Sequence, residues 1–331
     1  MNAGTAGTPL VSVVIPVRNG ACDLPRCVAS IAAAAGNGIS PEVIVVDNGS
    51  TDGSAGIARA AGARVLAASG VRVGAVRNAG AREARGDIIA FVDSDNEISA
   101  AWLSSCIEAL DDPGTGAVGL LCQAPADGTW VQRLYDLLRW RPERRTEIEW
   151  LGAANLAMRR EVFHAIGGFD ESLEACEDID LCRRVRRAGL RLMAEPGMAS
   201  VHHGDPPTLR ALFLGEMWRG RDNLRVSLRG PLTLRSLPGT LTPLVMLGLL
   251  VTLPVAAAAA FLVGPAPLLA TLGALLALVL LRTIVIVRRG RIRPSFAWVR
   301  SLAVAGTFEL GRALALLGRA THGTRTSARP A

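Results

Sequence analysis

Two carboxylates, Asp93 and Asp95, directly follow the apolar run Ile88 to Val92. The run predicts a buried parallel strand, and the carboxyl ends of such strands open onto the crevice in which α/β sheets bind ligands. Carboxylates at i and i+2 can share Mg²⁺ or Mn²⁺, hard cations that keep positions open for substrate phosphates. The alternative is that the pair only ends the strand and forms a turn. A calcium loop is disfavoured because Ile98 stands where that loop needs glycine.

The elements around this pair alternate between strand and helix patterns. Strands are predicted over 10–17, 42–46 and 64–67, and helices over 23–35, 53–61 and 73–85. This order predicts right-handed βαβ units and a doubly wound, mixed but mainly parallel sheet of the α/β class. The loop from Asp47 to Ser54 brings a carboxylate and a helix N-terminus to the same crevice. Because the chain has no G-x-G-x-x-G, G-x-x-x-x-G-K-[ST] or G-x-S-x-G motif, dinucleotide, P-loop and α/β-hydrolase chemistry are disfavoured.

Composition separates a polar first part from an apolar last part. The chain has 331 residues, is 50% hydrophobic, and carries a formal charge of +7 in which every basic residue counted as Lys or Arg is arginine. No basic stripe interleaved with aromatic residues is present, so we expect no nucleic-acid partner. The six cysteines form no C-x-x-C pair, which predicts free cytosolic thiols rather than a zinc site. Residues 1–9 lack the pattern of a secretory signal and are expected to be flexible and cytosolic.

Three segments of the first half and three of the second carry a resemblance to a known family. They read VSVVIPVRNG, VIVVDNGSTDGS and VRNAGAREARGDIIAFVDSDN, then GAANLAMRR, GGFDE and CEDIDLCRR. In their order and spacing they resemble the family 2 glycosyltransferases, enzymes of the GT-A fold, and this chain looks like a membrane-anchored bacterial type. The resemblance implies a catalytic domain over residues 10–225, with a nucleotide-sugar half (10–98) and an acceptor half (99–225).

The resemblance also implies roles for individual residues. It implies nucleotide-sugar contacts at Pro16, Asp47, Arg77 and Asp93, metal ligands at Asp93, Asp95 and His202, a general base at Asp178, and neighbours of the donor or acceptor at Asn155, Glu177, Trp218 and Arg221. Simpler interpretations stay open. Asp47 can cap the next helix, Asp178 can merely offset the dipole of an arginine-rich helix, and His203 competes with His202.

The segment from Gly128 to Trp150 is rich in aromatic residues and arginine. One interpretation is a lid that faces the acceptor and offers aromatic surface to a sugar or lipid; the other is a partly buried connecting helix. Further on, Glu216 to Arg221 (EMWRGR) stands where processive synthases of the family carry Q-x-x-R-W. This difference argues against processive polymerisation.

Two apolar runs, the uncharged 241–263 and 267–287 with one charge at Arg282, are each long enough to cross a bilayer and predict a transmembrane hairpin over 241–287. Pro254 is tolerable inside the first run, and Arg282 is close enough to the end of the second to snorkel. Arginines flank the hairpin on both sides: Arg225, Arg229 and Arg235 before it, and Arg288, Arg289, Arg291 and Arg293 after it. The positive-inside rule therefore predicts a multi-pass protein of the bacterial cytoplasmic membrane whose catalytic domain faces the cytosol. Residues 296–317 predict an interfacial amphipathic helix rather than a third span, and 319–331 a disordered tail.

Taken together, the sequence predicts an inverting, non-processive, metal-dependent transferase that moves a sugar from a nucleotide-diphosphate sugar to an acceptor hydroxyl. A saccharide acceptor, most simply a lipid-linked one in cell-surface glycan synthesis, fits a site attached to membrane lipids. One alternative is direct transfer onto a polyprenyl phosphate. The other is a membrane scaffold that has kept the fold and lost turnover.

Overall fold

The computed structural model describes residues 10–36, 38–230, 237–293 and 295–318. These residues divide into two compact units. The first unit holds the described residues of Met1–Pro125 together with Trp140–Gly204, and the second holds those of Ala126–Arg139 and Asp205–Arg325. The predicted flexible N-terminus (1–9), the predicted tail (319–331) and Arg235 lie outside the described residues. The predicted boundary of the catalytic domain at residue 225 stays a prediction.

The helices and strands alternate in the first half, as the patterns indicate. The strands are β1 (Val11–Val17), β2 (Glu42–Asp47), β3 (Arg64–Ala67), β4 (Ile88–Val92), β5 (Asn96–Ile98), β6 (Thr115–Gly119), β7 (Thr146–Ile148), β8 (Asn155–Arg159), β9 (Arg191–Ala194) and β10 (Ser200–His202). The helices are α1 (Leu24–Ala34), α2 (Ser54–Ala60), α3 (Val73–Glu83), α4 (Trp102–Leu110), α5 (Trp130–Asp136), α6 (Arg160–Ala165), α7 (Glu177–Arg187), α8 (Leu209–Arg219), α9 (Asn223–Ser227), α10 (Leu237–Val263), α11 (Ala266–Gly290) and α12 (Phe296–Ala315). A 3₁₀ turn spans Pro196–Met198.

The sheet of the first unit is mixed, with eight strands in the order β3-β2-β1-β4-β8-β6-β9-β7. Strands β1 to β4 are parallel to their neighbours within that set, whereas β8 runs antiparallel to both β4 and β6. The chain leaves β1 toward β2 and β3 and then returns to place β4 on the other side of β1. This reversal is the topological switch point at which open α/β sheets bind ligands, beyond the carboxyl ends of the strands. The predicted α/β fold class is confirmed.

Helical layers cover both faces of this sheet. Along β4, Ile88, Ala90 and Val92 belong to one apolar cluster, which includes residues of α1 and α4. The alternate residues Ile89 and Phe91 belong to a second cluster, which includes residues of α3, α6 and α7. Because both faces are buried, every position of β4 must be apolar, and the strand reads as a continuous run.

Two long apolar helices dominate the second unit. Helices α10 and α11 each have a mean hydropathy of 2.4 over their most apolar 18 residues, and 11% of each of these windows is buried. Both are therefore long and apolar enough to cross a membrane, and they leave most of that surface uncovered within the described chain. This exposure argues against a buried helical bundle, the arrangement in which a soluble protein would hold two such apolar helices. Two such helices suggest membrane association only weakly.

Helix α12 packs against α8, α10 and α11 within the second unit. Its Glu309 is 1% exposed and accepts a hydrogen bond of 2.6 Å from Arg282 Nε on α11. The guanidinium of Arg282 also lies 4.9 Å from the ring centroid of Phe308. Arg282 is therefore paired with a carboxylate of a neighbouring helix, and its snorkelling toward a membrane surface stays a prediction. The interfacial position of 296–317 stays a prediction.

Candidate active site

The two carboxylates after β4 meet a histidine from a second, two-stranded sheet. Strands β5 and β10 pair antiparallel, which sets His202 opposite Asn96. One ligand atom from each of Asp93, Asp95 and His202 lies within 4.8 Å of the other two, and His202 Nε2 lies 3.3 Å from Asp95 Oδ1. Asp95 and His202 are buried, and Asp93 is partly exposed. Two carboxylates and one imidazole form a donor set that suits a divalent cation such as Mn²⁺ or Mg²⁺.

The strand pairing also separates the two adjacent histidines. His203 Nε2 lies 3.0 Å from Glu97 Oε2 and is not part of the three-residue cluster. Strand β10 ends at His202 and the chain turns at His203, whose ring lies against Glu97 while its backbone N–H donates to Asp95 O at 2.9 Å. Of the two candidates in the sequence, His202 is the one beside the carboxylates.

Arg77 links helix α7 to the candidate metal-binding cluster, the group formed by Asp93, Asp95 and His202. Its Nη2 donates to Asp93 Oδ1 at 2.7 Å, and its Nη1 donates to Glu177 Oε1 at 2.6 Å. The side chain is 4% exposed and lies over the ring of Phe169 at 5.6 Å. Burial acts to lower the pKa of Arg77, but Asp93 and Glu177 outweigh burial and raise this pKa. Arg77 is thus the centre of a buried bridge between two carboxylates, and its position near the nucleotide stays a prediction.

Asp178 lies in the first turn of α7, beside Glu177. Burial, reinforced by the charge of Glu177, raises the pKa of Asp178 from its ordinary 3.8 to about 7. The backbone N–H groups of Ile179 and Ala153 and the charge of Arg77 oppose this rise. A carboxylate with a pKa near the working pH is suited to accept a proton from a substrate and release it again. Acidic residues are favoured at a helix N-terminus, which accounts for Glu177 and Asp178 at this position. This preference does not explain a pKa of about 7 for Asp178.

A short strip of chain, residues 151–154, runs from the neighbourhood of Asp178 to that of Asp93. Its residues Leu151, Gly152, Ala153 and Ala154 have small side chains apart from the first. The backbone N–H of Leu151 donates to Cys182 Sγ on α7 at 3.3 Å, and a methyl group placed on Gly152 would lie 3.9 Å from Asp178 Oδ2. At the other end, Ala154 O accepts a hydrogen bond of 3.2 Å from the N–H of Asp93. Sequence reasoning missed this strip as a functional element, although its run of small residues was visible.

The carboxyl ends of β1 and β2 carry the predicted nucleotide-binding residues. Asp47 Oδ1 accepts hydrogen bonds from the backbone N–H of Ser50 at 2.9 Å and from its hydroxyl at 2.5 Å. Ser50 Oγ in turn accepts from the N–H of Asn19, which follows β1. Helix α2 begins after Gly53 and receives no side-chain cap, so Asp47 shapes the loop rather than capping this helix. Pro16 pairs in register with Val46 near the end of β1, and its contact with the nucleotide sugar stays a prediction.

Asn155, Trp218 and Arg221 are the remaining residues predicted to lie near the donor or acceptor. Asn155 is 1% exposed; its Oδ1 accepts from Trp102 Nε1 at 2.6 Å, and its Nδ2 donates to the carbonyls of Leu120 and Met198. These bonds hold Asn155 in place directly after the strip, and its proximity to donor or acceptor stays a prediction. Trp218 lies on α8 and Arg221 follows it, both in the second unit. Their proximity to donor or acceptor stays a prediction.

Gly204 is a further residue that sequence reasoning did not single out. A methyl group placed on it would lie 1.9 Å from Asp95 Oδ2, closer than any side-chain atom can approach. A side chain at position 204 would therefore require Asp95, a candidate metal ligand, to move. The only signal in the sequence is its position directly after the two histidines.

A mixed α/β sheet, with a carboxylate pair at its switch point and the carboxylates of Glu177 and Asp178 on helix α7, is the architecture of the GT-A fold. Residues 12–168 match the sequence model described as "Glycosyl transferase family 2". The chain is 30% identical over 286 residues to the N-acetylglucosaminyl-diphospho-decaprenol L-rhamnosyltransferase of Mycobacterium tuberculosis, a match that covers 69% of this chain and 92% of that protein. The chain therefore belongs to glycosyltransferase family 2.

Two other similar proteins place the chain within this family and fold. The pre-mycofactocin glycosyltransferase of Mycobacterium tuberculosis is 30% identical over 234 residues, which cover 67% of this chain and 48% of that protein. The chain thus spans about half the length of this relative. The mannosyltransferase PcManGT of Pyrobaculum calidifontis, solved in complex with GDP-Man and Mn²⁺, superposes with a TM-score of 0.57 at 19% identity and covers 92% of this chain and 87% of that chain. This similarity shows that the two proteins share a fold.

Proposed function

We propose that this protein is an inverting, metal-dependent glycosyltransferase that moves one sugar from a nucleotide-diphosphate sugar to the hydroxyl of a lipid-linked saccharide. The observation that carries the proposal is the continuous arrangement Asp95, Asp93, Arg77, Glu177 and Asp178, in which a cation-binding cluster and a carboxylate with a raised pKa are held in one unit. The relative named N-acetylglucosaminyl-diphospho-decaprenol L-rhamnosyltransferase supports a lipid-linked saccharide as the acceptor.

The site residues fit a cation of the Mg²⁺ or Mn²⁺ type. Asp93, Asp95 and His202 would hold it, since carboxylate oxygen and imidazole nitrogen together suit these ions. When bound, such an ion supplies positive charge next to the diphosphate of the donor. Asp95 and His202 are buried within the fold, so the positions of these ligand atoms are set before the donor arrives.

The reaction needs one proton acceptor, and Asp178 is suited to that role. The acceptor hydroxyl oxygen attacks the anomeric carbon, the bond from that carbon to the diphosphate oxygen breaks, and the hydroxyl proton moves to Asp178. A positioned carboxylate contributes roughly 10²–10⁴-fold to such a step. A single displacement of this kind inverts the anomeric configuration.

Arg77 fixes the distance between the candidate metal-binding cluster and the proposed base. Its guanidinium is bound to a residue of the metal cluster at one end and to the neighbour of the base at the other. A planar guanidinium holds two carboxylates in a fixed orientation, which a flexible ammonium does not. We therefore assign Arg77 as a positioning residue.

We further propose that α10 and α11 form a membrane hairpin in the bacterial cytoplasmic membrane, with the catalytic unit in the cytosol. The support is the length and hydropathy of the two helices and the arginines that flank the pair. A membrane position suits an acceptor whose sugar is attached to a lipid. EMWRGR at 216–221 in place of the processive motif supports transfer of a single sugar.

The experiment is release of nucleoside diphosphate from a panel of nucleotide sugars by membranes that contain the protein. Release from one donor should require Mg²⁺ or Mn²⁺, stop with EDTA, and fall at least 100-fold in Asp95→Ala and Asp178→Asn. His202→Ala should weaken the response to Mn²⁺, and His203→Ala serves as the matched control. If no donor turns over with a lipid extract as acceptor, the scaffold interpretation replaces this proposal.

A further inference from the structure

An exposed tryptophan lies at one end of the strip that borders the base. Trp150 is 44% exposed, directly precedes Leu151, and is two residues from Gly152. Two residues of chain span at most about 7 Å. Gly152 in turn borders Asp178, because a methyl group placed on Gly152 would lie 3.9 Å from Asp178 Oδ2. The Cα of Trp150 therefore lies within roughly 13 Å of this carboxylate.

The backbone on both sides of Trp150 is fixed. Before it, β7 pairs with β9, with Ile148 opposite Leu192. After it, Leu151 is 0% exposed and is bonded through its N–H to Cys182 Sγ. A large apolar ring on a fixed backbone loses little conformational freedom when a ligand covers it. Among the described residues, no ring contact or hydrogen bond with the indole of Trp150 is found.

The order of residues along this strip indicates on which side of the site, donor or acceptor, Trp150 lies. Ala154 is bonded to Asp93 of the metal cluster, Gly152 borders the base, and Trp150 lies beyond the base. In a single in-line displacement the leaving diphosphate and the attacking hydroxyl are on opposite sides of the anomeric carbon. The metal cluster marks the leaving side, so the end of the strip beyond Asp178 belongs to the acceptor.

We propose that Trp150 is the platform of an acceptor subsite that binds the sugar ring carrying the attacking hydroxyl. A pyranose ring presents an apolar face of C–H groups, and an exposed indole is the surface that covers such a face. The proposal rests on the proposed function and makes it more specific: the acceptor binds through a saccharide ring, and a bare polyprenyl phosphate does not satisfy the subsite.

The first test compares the wild type with Trp150→Ala, Trp150→Phe and Trp140→Ala. Trp140, 52% exposed, precedes β7 and is the matched control on the other side of this strand. The probes are methyl glycosides of glucose, galactose, mannose, rhamnose and N-acetylglucosamine, and decaprenyl phosphate. At least one glycoside should accelerate nucleoside diphosphate release. Trp150→Ala should raise the KM for that glycoside about tenfold, which corresponds to about 1.4 kcal/mol. Trp150→Phe should stay within about threefold and Trp140→Ala within about twofold.

The second test reports binding without turnover. In protein labelled with 5-fluorotryptophan, the ¹⁹F resonance of Trp150 is identified by its loss in Trp150→Phe, and titration with the methyl glycosides should shift it while the Trp140 resonance stays in place. A shift without turnover of any donor would reject the proposed function and keep the subsite. Turnover without a shift, acceleration by decaprenyl phosphate alone, or equal acceleration in wild type and Trp150→Ala would overturn the subsite.

Discussion

Replacing Asp178 by asparagine should make the protein inactive and more stable at the same time. Burial and Glu177 raise the pKa of Asp178 to about 7, which means that the fold disfavours the ionised carboxylate. Between about pH 4 and pH 7 the folded protein retains a proton that the unfolded chain releases. Stability therefore falls as pH rises through this window, and the whole cost is present above about pH 7. Asparagine has the same shape and carries no charge, so it removes this cost.

The magnitude follows from the same pKa. A rise from 3.8 to about 7, at ~1.4 kcal/mol per pKa unit, sets an upper limit of ~4 kcal/mol for the ionised group. Because Asp178 and Glu177 share part of this repulsion, we expect a gain of about 1–4 kcal/mol at pH 8 and close to none at pH 4. For a domain of 150–250 residues, each kcal/mol moves the Tm by roughly 2–4 °C.

The assay is thermal unfolding of the purified protein in detergent at pH 4, 6 and 8, beside the acid limb of kcat in the wild type. The limb should rise with pH and reach half its height near pH 7. Asp180→Asn is the matched control in the same first turn of α7, because Asp180 Oδ2 accepts a bond of 2.9 Å from Arg184 Nε. Asp180→Asn should lower the Tm under the same conditions in which Asp178→Asn raises it. A stability gain of equal size at pH 4 and pH 8, or no gain at pH 8, would refute the assignment of a raised pKa.

Three further substitutions test the frame around the site. A lysine at position 77 cannot keep both of the bonds that Arg77 makes to carboxylates. In Arg77→Lys, kcat should therefore fall at least tenfold and the free energy of unfolding should fall by about 1–3 kcal/mol. If neither value changes, Arg77 is not a positioning residue. Gly204→Ala places a methyl group 1.9 Å from Asp95 Oδ2, so the affinity for Mn²⁺ measured by electron paramagnetic resonance should fall about 10–100-fold with little change in Tm. Glu309→Gln should lower the Tm because it removes the partner of Arg282, and the double change with Arg282→Gln should restore most of the loss; additive losses would show that the two side chains do not interact.

The sequence indicated the local features of the site with good accuracy. The strand that ends at Asp93, the loop that begins at Asp47 and the arginine-rich helix headed by Glu177 all lie within one residue or two of their predicted places. Each depends on neighbours along the chain: a two-residue period, a run of turn formers, or acidic residues at a helix start. Such signals are written in a single stretch of residues and need no knowledge of the fold.

What the sequence could not decide were the pairings between residues far apart in the chain. Arg77 and Glu177 are 100 residues apart, and only the packing of α3 and α7 on one face of the sheet makes them partners. Arg282 and Glu309 meet because α11 packs against α12. The choice of His202 over His203 follows from the register of β10 on β5, since a slip of one residue exchanges the two faces of a strand.

The sequence by itself therefore determined the family, the order of strands and helices, and the types of group available for chemistry, because these are set by local pattern and composition. Only the tertiary structure decided which groups face each other. It made Arg77 a bridge between Asp93 and Glu177, and it surrounded Asn155 with hydrogen-bond partners from three other parts of the chain. The physical reason is that charge, hydrogen bonding and burial act over a few ångströms of space, whatever the distance along the chain.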